Sequence, residues 1–91
     1  MNKTRRSILS KKVAELEELK RKLDEVKSDI ESLHDEEDDA FSNLPDGIQY
    51  SERGETMLEN IDNLDEAYSN LDDIISTLDD VIDKLNEVIE R

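Results

Sequence analysis

The sequence predicts an all-α protein, an antiparallel two-helix coiled-coil hairpin that dimerises into a four-helix bundle. Apolar residues recur at the alternating three- and four-residue spacing of a coiled-coil seam in two long segments. The only proline and both glycines are confined to one short stretch between these segments. The second segment carries a third apolar position in each heptad, which widens its apolar face. The sequence therefore predicts a single helical-hairpin domain over residues 1–91.

The first helix is predicted over about residues 5–43. Its seam is predicted from two apolar columns, Leu16, Leu23 and Ile30 in one and Leu19, Val26 and Leu33 in the other. Leu9 and Ala40 extend these columns, whereas Lys12 and Glu37 interrupt them. Both ends of the helix are therefore expected to pack less tightly than its middle.

Residues 44–50 are predicted to form the turn. Pro45 removes a backbone donor and biases Leu44 away from helical geometry. The dipeptide Asp46-Gly47 suits a tight turn. Such a short connection between two helices of about 55 Å forces them to run antiparallel.

The second helix is predicted over about residues 51–90. Ser51 is the preferred start, because its side-chain oxygen is expected to accept from the first helical amides. Glu52 and Glu55 would then face the positive end of the helix dipole. Thr56 with Glu59 forms a capping box and is the alternative start.

Four consecutive heptads make up most of the second helix: IDNLDEA, YSNLDDI, ISTLDDV and IDKLNEV. Their first and fourth places are large and apolar, and the seventh place is filled by Ala67, Ile74, Val81 and Val88. Three apolar places in seven imply contact with more than one neighbouring helix. The predicted oligomer core comprises Leu64, Leu71, Ile74, Ile75, Leu78, Val81, Ile82, Leu85 and Val88. A homodimer is the preferred assembly, and the alternatives are a monomeric hairpin or a bundle completed by a different protein.

Charge favours an antiparallel fold-back in a defined register. If facing residues have numbers that sum to about 99, then Lys20 lies near Asp79 and Lys27 near Asp72. The same register places His34 near Asp65. Each exposed pair contributes well under about 1 kcal/mol, so the pattern selects register and orientation rather than supplying stability.

Composition excludes several function classes. The chain has no cysteine, so it offers neither a disulfide framework nor a thiolate metal site. No apolar run approaches the roughly 18 residues needed to span a bilayer, and the basic N-terminus lacks the apolar part of a signal peptide. The sequence predicts a soluble, cytoplasmic protein. A formal net charge of −14 makes direct binding to nucleic acid or to an anionic membrane unexpected.

No residue pattern indicates chemistry, so we expect no enzyme activity, metal or cofactor. His34 is the only histidine and is followed by five acids, Asp35 to Asp39, without the ligand spacing of a zinc or calcium site. Those five acids lie near a helix C-terminus, where negative charge opposes the dipole. They indicate a solvated helix end or a contact for a basic partner.

Paired acids recur every heptad, about every 10.5 Å, and are predicted to form an acidic ladder on the outer face of the second helix. They are Asp65 and Glu66, Asp72 and Asp73, and Asp79 and Asp80. Thirteen acids lie between Glu52 and Glu90. In two copies side by side they would be spaced about 2 Å per charge, close to the roughly 1.7 Å per charge of duplex DNA. The alternative is that they only keep a heptad protein soluble.

The segment from Asp35 to the C-terminus resembles small acidic helical proteins encoded by bacterial phages and prophages. The resemblance is carried by the loop NLPDGIQYSERGE, with Asn43, Pro45, Gln49, Ser51, Glu52 and Arg53, and by the acidic heptads that follow. It implies a viral setting, and hence a host bacterial cytoplasm, without supplying a mechanism.

The leading hypothesis is an interaction module that inhibits or redirects a host protein. Its candidate partner-binding residues are Gln49, Tyr50 and Arg53 at the turn and the three acid pairs Asp65, Glu66, Asp72, Asp73, Asp79 and Asp80. One alternative is an acidic nucleic-acid mimic that occupies a DNA- or RNA-binding groove, as an anti-defence protein would. The other is a structural spacer or assembly factor.

Overall fold

Two long helices lie side by side along most of the molecule. In the computed structural model, which describes residues 1–91, α1 spans Lys3–Ser42, α2 spans Asp46–Gln49 and α3 spans Glu52–Glu90. Helices α1 and α3 pack against each other to form a hairpin 68 Å long and 15 Å by 14 Å across. This confirms the predicted all-α helical hairpin.

Helix α1 begins two residues earlier than the predicted residue 5. Asn2 adopts an extended backbone, and its side-chain oxygen accepts a hydrogen bond from the Arg5 amide at 2.8 Å. Asparagine is among the best N-cap residues because it satisfies an amide that has no partner within the helix. The cap therefore fixes the start of α1 at Lys3.

The predicted turn over residues 44–50 contains a short helix, so Asp46 and Gly47 lie in a helical turn rather than in an isolated tight turn. The Pro45 carbonyl accepts from the amides of Ile48 and Gln49 at 2.8 and 3.0 Å, which closes the single turn of α2. No glycine in the chain has a positive φ. Proline favours this arrangement because it can precede a helix without leaving an amide unpaired.

Helix α3 begins at Glu52, with Ser51 in the N-cap position. The predicted role of the Ser51 hydroxyl is wrong, because it makes no hydrogen bond to a helix amide. It donates instead to the carbonyl oxygen of Ile48, at the end of α2. Ser51 therefore joins α2 to α3 by a local side-chain to backbone hydrogen bond.

Gly54 lies buried under α2, a role that the sequence reasoning missed. A Cβ atom at this position would lie 2.1 Å from the Gln49 carbonyl oxygen and 2.7 Å from that of Ile48. Both neighbours are backbone atoms, so they cannot rotate away. The close approach of α2 to the first turn of α3 therefore requires glycine at residue 54.

The seam between α1 and α3 differs from the prediction in one column. Leu16, Leu23 and Ile30 are half-buried as expected, but Leu19, Val26 and Leu33 are 47, 47 and 53% exposed. The second column that faces α3 consists instead of Val13, Lys20, Lys27, His34 and Phe41, all buried or half-buried. Lysine fits such a position because its aliphatic stem packs while its ammonium reaches the edge of the seam.

The most deeply buried apolar side chains are Val13, Ile75 and Ile82, at 6, 7 and 7% exposure. All three lie in the half of the hairpin that contains the chain termini. We call residues 1–27 and 71–91 the open half, and residues 28–70 the tip half. The apolar side chains of the tip half are half-buried or exposed, so the tip half packs less tightly than the open half.

Candidate interaction surfaces

One side of the seam is closed by ion pairs, and we call it the polar flank. Lys20 contacts Asp79 at 2.7 Å, and Lys27 contacts Asp72 at 2.6 Å, in the register predicted from the sequence. The hydrogen bonds to Asp79 and Asp72 raise the pKa of Lys20 and Lys27, respectively. The Lys27 ammonium also lies 4.9 Å from the centre of the Tyr68 ring, within reach of a cation–π interaction.

His34 continues the polar flank into the tip half. Its Nδ1 lies 3.2 Å from the carboxylate of the adjacent Asp35, and a shallow pocket around it is lined by Glu31, Asp65 and Tyr68. Hydrogen bonding to Asp35, followed by the charges of Asp65, Asp35 and Asp38, raises the pKa of His34 above its ordinary 6.5. The imidazole therefore contacts an acid of α1 and lies near an acid of α3.

The raised pKa of His34 predicts that its contribution to stability depends on pH. Because protonation is favoured in the folded state, the contribution is complete below pH 6.5 and is lost as the pH rises through the folded-state value. Urea unfolding should therefore give a higher midpoint at pH 6 than at pH 8. The difference between the two midpoints should shrink in His34→Gln. In that variant the only remaining source of pH dependence is the weaker repulsion among the acids at the lower pH. An equal difference in both proteins would exclude a contribution from His34.

The predicted acidic ladder is divided by the fold. Asp72 and Asp79 bind the lysines of α1, and Asp65 lies beside His34, so the first acid of each pair belongs to the polar flank. Glu66, Asp73 and Asp80, which follow them, are exposed and form no ion pair. The prediction that both acids of each pair share one outer surface is therefore wrong.

The three turn residues chosen as partner contacts have different environments. Gln49 is half-buried, and its amide donates to the carbonyls of Phe41 and Leu44 at 3.2 Å each, so it has a structural role that the sequence reasoning missed. Tyr50 is 85% exposed. Arg53 is exposed and forms no ion pair.

Negative charge is concentrated in the tip half. Residues 28–70 contain fourteen acidic residues and one arginine, a formal charge of −13 with His34 neutral. The open half contains twelve acidic and eleven basic residues, a formal charge of −1. Every lysine or arginine ion pair lies within the open half, and the only pair in the tip half joins His34 to Asp35. The acids of the tip half are therefore almost unneutralised.

The side of the hairpin opposite the polar flank is apolar and open. We call Leu19, Val26, Leu33, Ile74 and Val81 the apolar flank; their side chains are 43 to 53% exposed. One shallow groove is lined by Leu19, Leu23, Ile74, Leu78 and Val81 and by the polar residues Asp73 and Thr77. A second groove farther along the same side is lined by Leu33, Ala40 and Leu64 and by the acids Glu36 and Glu37. The apolar flank thus runs lengthwise over both helices.

The nine predicted oligomer-core residues serve two surfaces. The six in first and fourth heptad places are buried or half-buried in the hairpin's own seam: Leu64, Leu71, Ile75, Leu78, Ile82 and Leu85. Ile74 and Val81, in seventh places, are exposed on the apolar flank, and Val88 is half-buried. Of the nine, Ile74 and Val81 are thus the ones that the hairpin leaves uncovered.

No family model, curated protein or solved structure matches this chain. No helix combines the length and apolar character needed to cross a membrane. No three His, Cys, Asp or Glu side chains are grouped so as to hold a metal ion. Surface charge and exposed apolar area are therefore the features on which a functional argument rests.

Proposed function

We propose that this chain is a non-enzymatic interaction module whose tip half binds a basic surface of a partner protein. The observation that supports the proposal is the unneutralised charge of −13 in the tip half. Like charges held this close repel one another and destabilise the folded state, and a cationic partner would relieve that repulsion. A complementary basic surface would also be attracted over a distance, which speeds association.

Tyr50 gives the tip half a contact that charge alone would not provide. It is the most exposed of the large apolar or aromatic side chains and lies at the end of the hairpin, close to the exposed Arg53. Tyrosine and arginine are enriched among the residues that dominate binding energy at protein interfaces. We therefore assign partner specificity to Tyr50 and Arg53 and long-range attraction to the acids around them.

The resemblance to phage-encoded acidic proteins gives this proposal its setting, in which the partner is a host bacterial protein and binding inhibits or redirects it. A protein partner is favoured over mimicry of nucleic acid because Asp72 and Asp79 are neutralised by lysines. Their loss interrupts the regular row of charges that a mimic of duplex DNA needs.

Quantitative capture from bacterial lysate tests the proposal with three forms of the full chain as bait. The first is the unmodified protein, and the second carries Tyr50→Ala, Asp38→Asn and Asp39→Asn in the tip half. The third carries Asp80→Asn and Asp83→Asn in the open half, where both acids are exposed and unpaired. We expect a protein that is enriched by the first and third baits and at least tenfold less by the second.

Two further outcomes of the capture are decisive. Enrichment that is equal for all three baits would exclude the tip half as the binding surface. Release of the captured protein by duplex DNA, together with equal losses for both variants, would favour the nucleic-acid mimic instead.

A further inference from the structure

The apolar flank has the properties of a surface that another molecule covers in the functional protein. Five large apolar side chains that are about half exposed lie along one side of the hairpin, three on α1 and two on α3. Large apolar residues scattered singly over a surface need no explanation, but several grouped on one side indicate an interaction site.

The charge pattern of α3 independently marks the same side. Thirteen acidic residues occur between Glu52 and Glu90, yet none occupies a third or seventh heptad place. The third places hold Asn63, Asn70, Thr77 and Lys84. At 100° per residue, the third place adjoins the seventh on the side away from α1, so it forms the outer edge of the apolar flank. A helix that is one-third acidic therefore keeps one continuous strip free of negative charge, as is typical of interface cores.

We propose that the apolar flank binds the apolar flank of a second copy of this chain, with the two hairpins antiparallel. The size of the flank is appropriate for a dimer. From Lys12 to Ala40 the strip is about 42 Å long, and the hairpin is 15 Å wide. A standard interface needs about 800 Å² per partner, roughly an eighth of the 6712 Å² surface of the hairpin.

A single two-fold axis brings the apolar residues of both helices into register. Because facing residues of α1 and α3 sum to about 99, Val26 and Ile74 lie at nearly the same level along the hairpin. An axis through that level packs Val26 and Ile74 each against its own equivalent in the second copy. The same axis sets Leu19 against Leu33 of the second copy and Val81 against Ala67 of the second copy.

Charge selects the antiparallel orientation. Parallel hairpins would bring two tip halves together, each with a formal charge of −13, whereas antiparallel hairpins pair each tip half with an open half of −1. At the edge of α1, the antiparallel register also places Lys22 level with Asp29 of the second copy. Glu15 and Glu36 of the second copy are brought together as well, but both side chains lie at the solvent-exposed rim, where such pairs have small effects. The two tips then point in opposite directions and remain free.

Sedimentation equilibrium over a range of concentrations tests the dimer. We expect the unmodified chain to have twice the 10.5 kDa mass of one copy. Ile74→Lys, which introduces two like charges at the two-fold axis, should halve that mass. Ser76→Lys introduces the same charge on the exposed, acidic side of α3 and should leave the mass unchanged. A monomeric unmodified chain, or an Ile74→Lys variant that stays dimeric, would overturn the proposal.

A spin label at the tip tests the orientation without altering the interface. Gly47 is suitable because a Cβ atom there meets nothing within 4 Å and the chain has no other cysteine. In an antiparallel dimer of Gly47→Cys, the two labels should be about 60 Å apart. Parallel hairpins would bring them within about 25 Å, and that result would overturn the proposed charge pairing. Neither experiment involves a partner protein. A result that overturns the dimer would therefore leave the proposed binding of a partner by the tip half unaffected.

Discussion

Replacing Ile75 with aspartate should unfold the hairpin. Ile75 is 7% exposed and is one of only three apolar side chains that are buried rather than half-buried or exposed. A carboxylate there would have no cation or hydrogen-bond donor to compensate for the loss of water. We expect a loss of more than about 4 kcal/mol, which approaches the whole stability of a small domain. Far-ultraviolet circular dichroism at neutral pH should then show loss of most of the helix signal.

Ser76→Asp provides the matched control for Ile75→Asp. It adds the same charge one residue along the same helix, at an exposed position that faces neither α1 nor the apolar flank. Its unfolding midpoint should stay close to that of the unmodified chain. If both variants unfolded, general acidic repulsion would explain the result, and the seam assigned to α3 would lose its support.

Replacing Gly54 with alanine should be the most damaging single-methyl change in the chain. The added Cβ would lie 2.1 Å from the Gln49 carbonyl oxygen, so α2 must move away from α3. Displacing α2 also disturbs the bonds that Gln49 makes to the carbonyls of Phe41 and Leu44. Overpacking of this kind costs about 1–3 kcal/mol, and we expect the upper end of that range from urea unfolding.

Gly47→Ala is the control for the effect of alanine itself. Gly47 lies within α2, and its added Cβ would meet nothing within 4 Å. Since alanine is the better helix former, this variant should be as stable as the unmodified chain or slightly more stable. Equal losses in both variants would mean that the close approach of α2 to Gly54 does not occur in solution.

The fold and its register could be predicted because they depend on how apolar and charged residues are spaced along the sequence. Heptad repetition predicts two long helices, the short proline-containing connection predicts that they are antiparallel, and the partners of Lys20 and Lys27 follow from charge. The burial of the first and fourth heptad places of α3 in the seam could also be predicted, because each heptad carries the same pattern. These features are repeated many times along the chain, so a single misleading residue does not change the conclusion.

The column of α1 that faces α3 could not be predicted in this way. Both helices carry more apolar columns than one neighbour can cover, so hydrophobic spacing alone leaves open which column faces inward. The structure uses Lys20 and Lys27 because their ammonium groups reach aspartates on α3, and it leaves Leu19, Val26 and Leu33 outside. A signal was available, since the predicted ion pairs require both lysines to lie at the edge of the seam.

The details of the connection depend on contacts that no local pattern reveals. Gln49 and Ser51 bond to carbonyl groups, and Gly54 makes room for backbone atoms that lie five and six residues away. Gly54 lies inside an otherwise regular helical segment, where glycine is unfavourable by about 1 kcal/mol relative to alanine. That cost was the one sequence signal that could have identified its packing role.

The column of α1 that contains Lys20 and Lys27 faces α3, whereas the column of Leu19, Val26 and Leu33 does not. Nuclear Overhauser spectroscopy at the Tyr68 ring tests this directly, because the Lys27 ammonium lies 4.9 Å from the ring centre. We expect cross-peaks between the Tyr68 ring protons and the side-chain methylenes of Lys27. Cross-peaks from that ring to Val26 or Leu33, with none to Lys27, would contradict it.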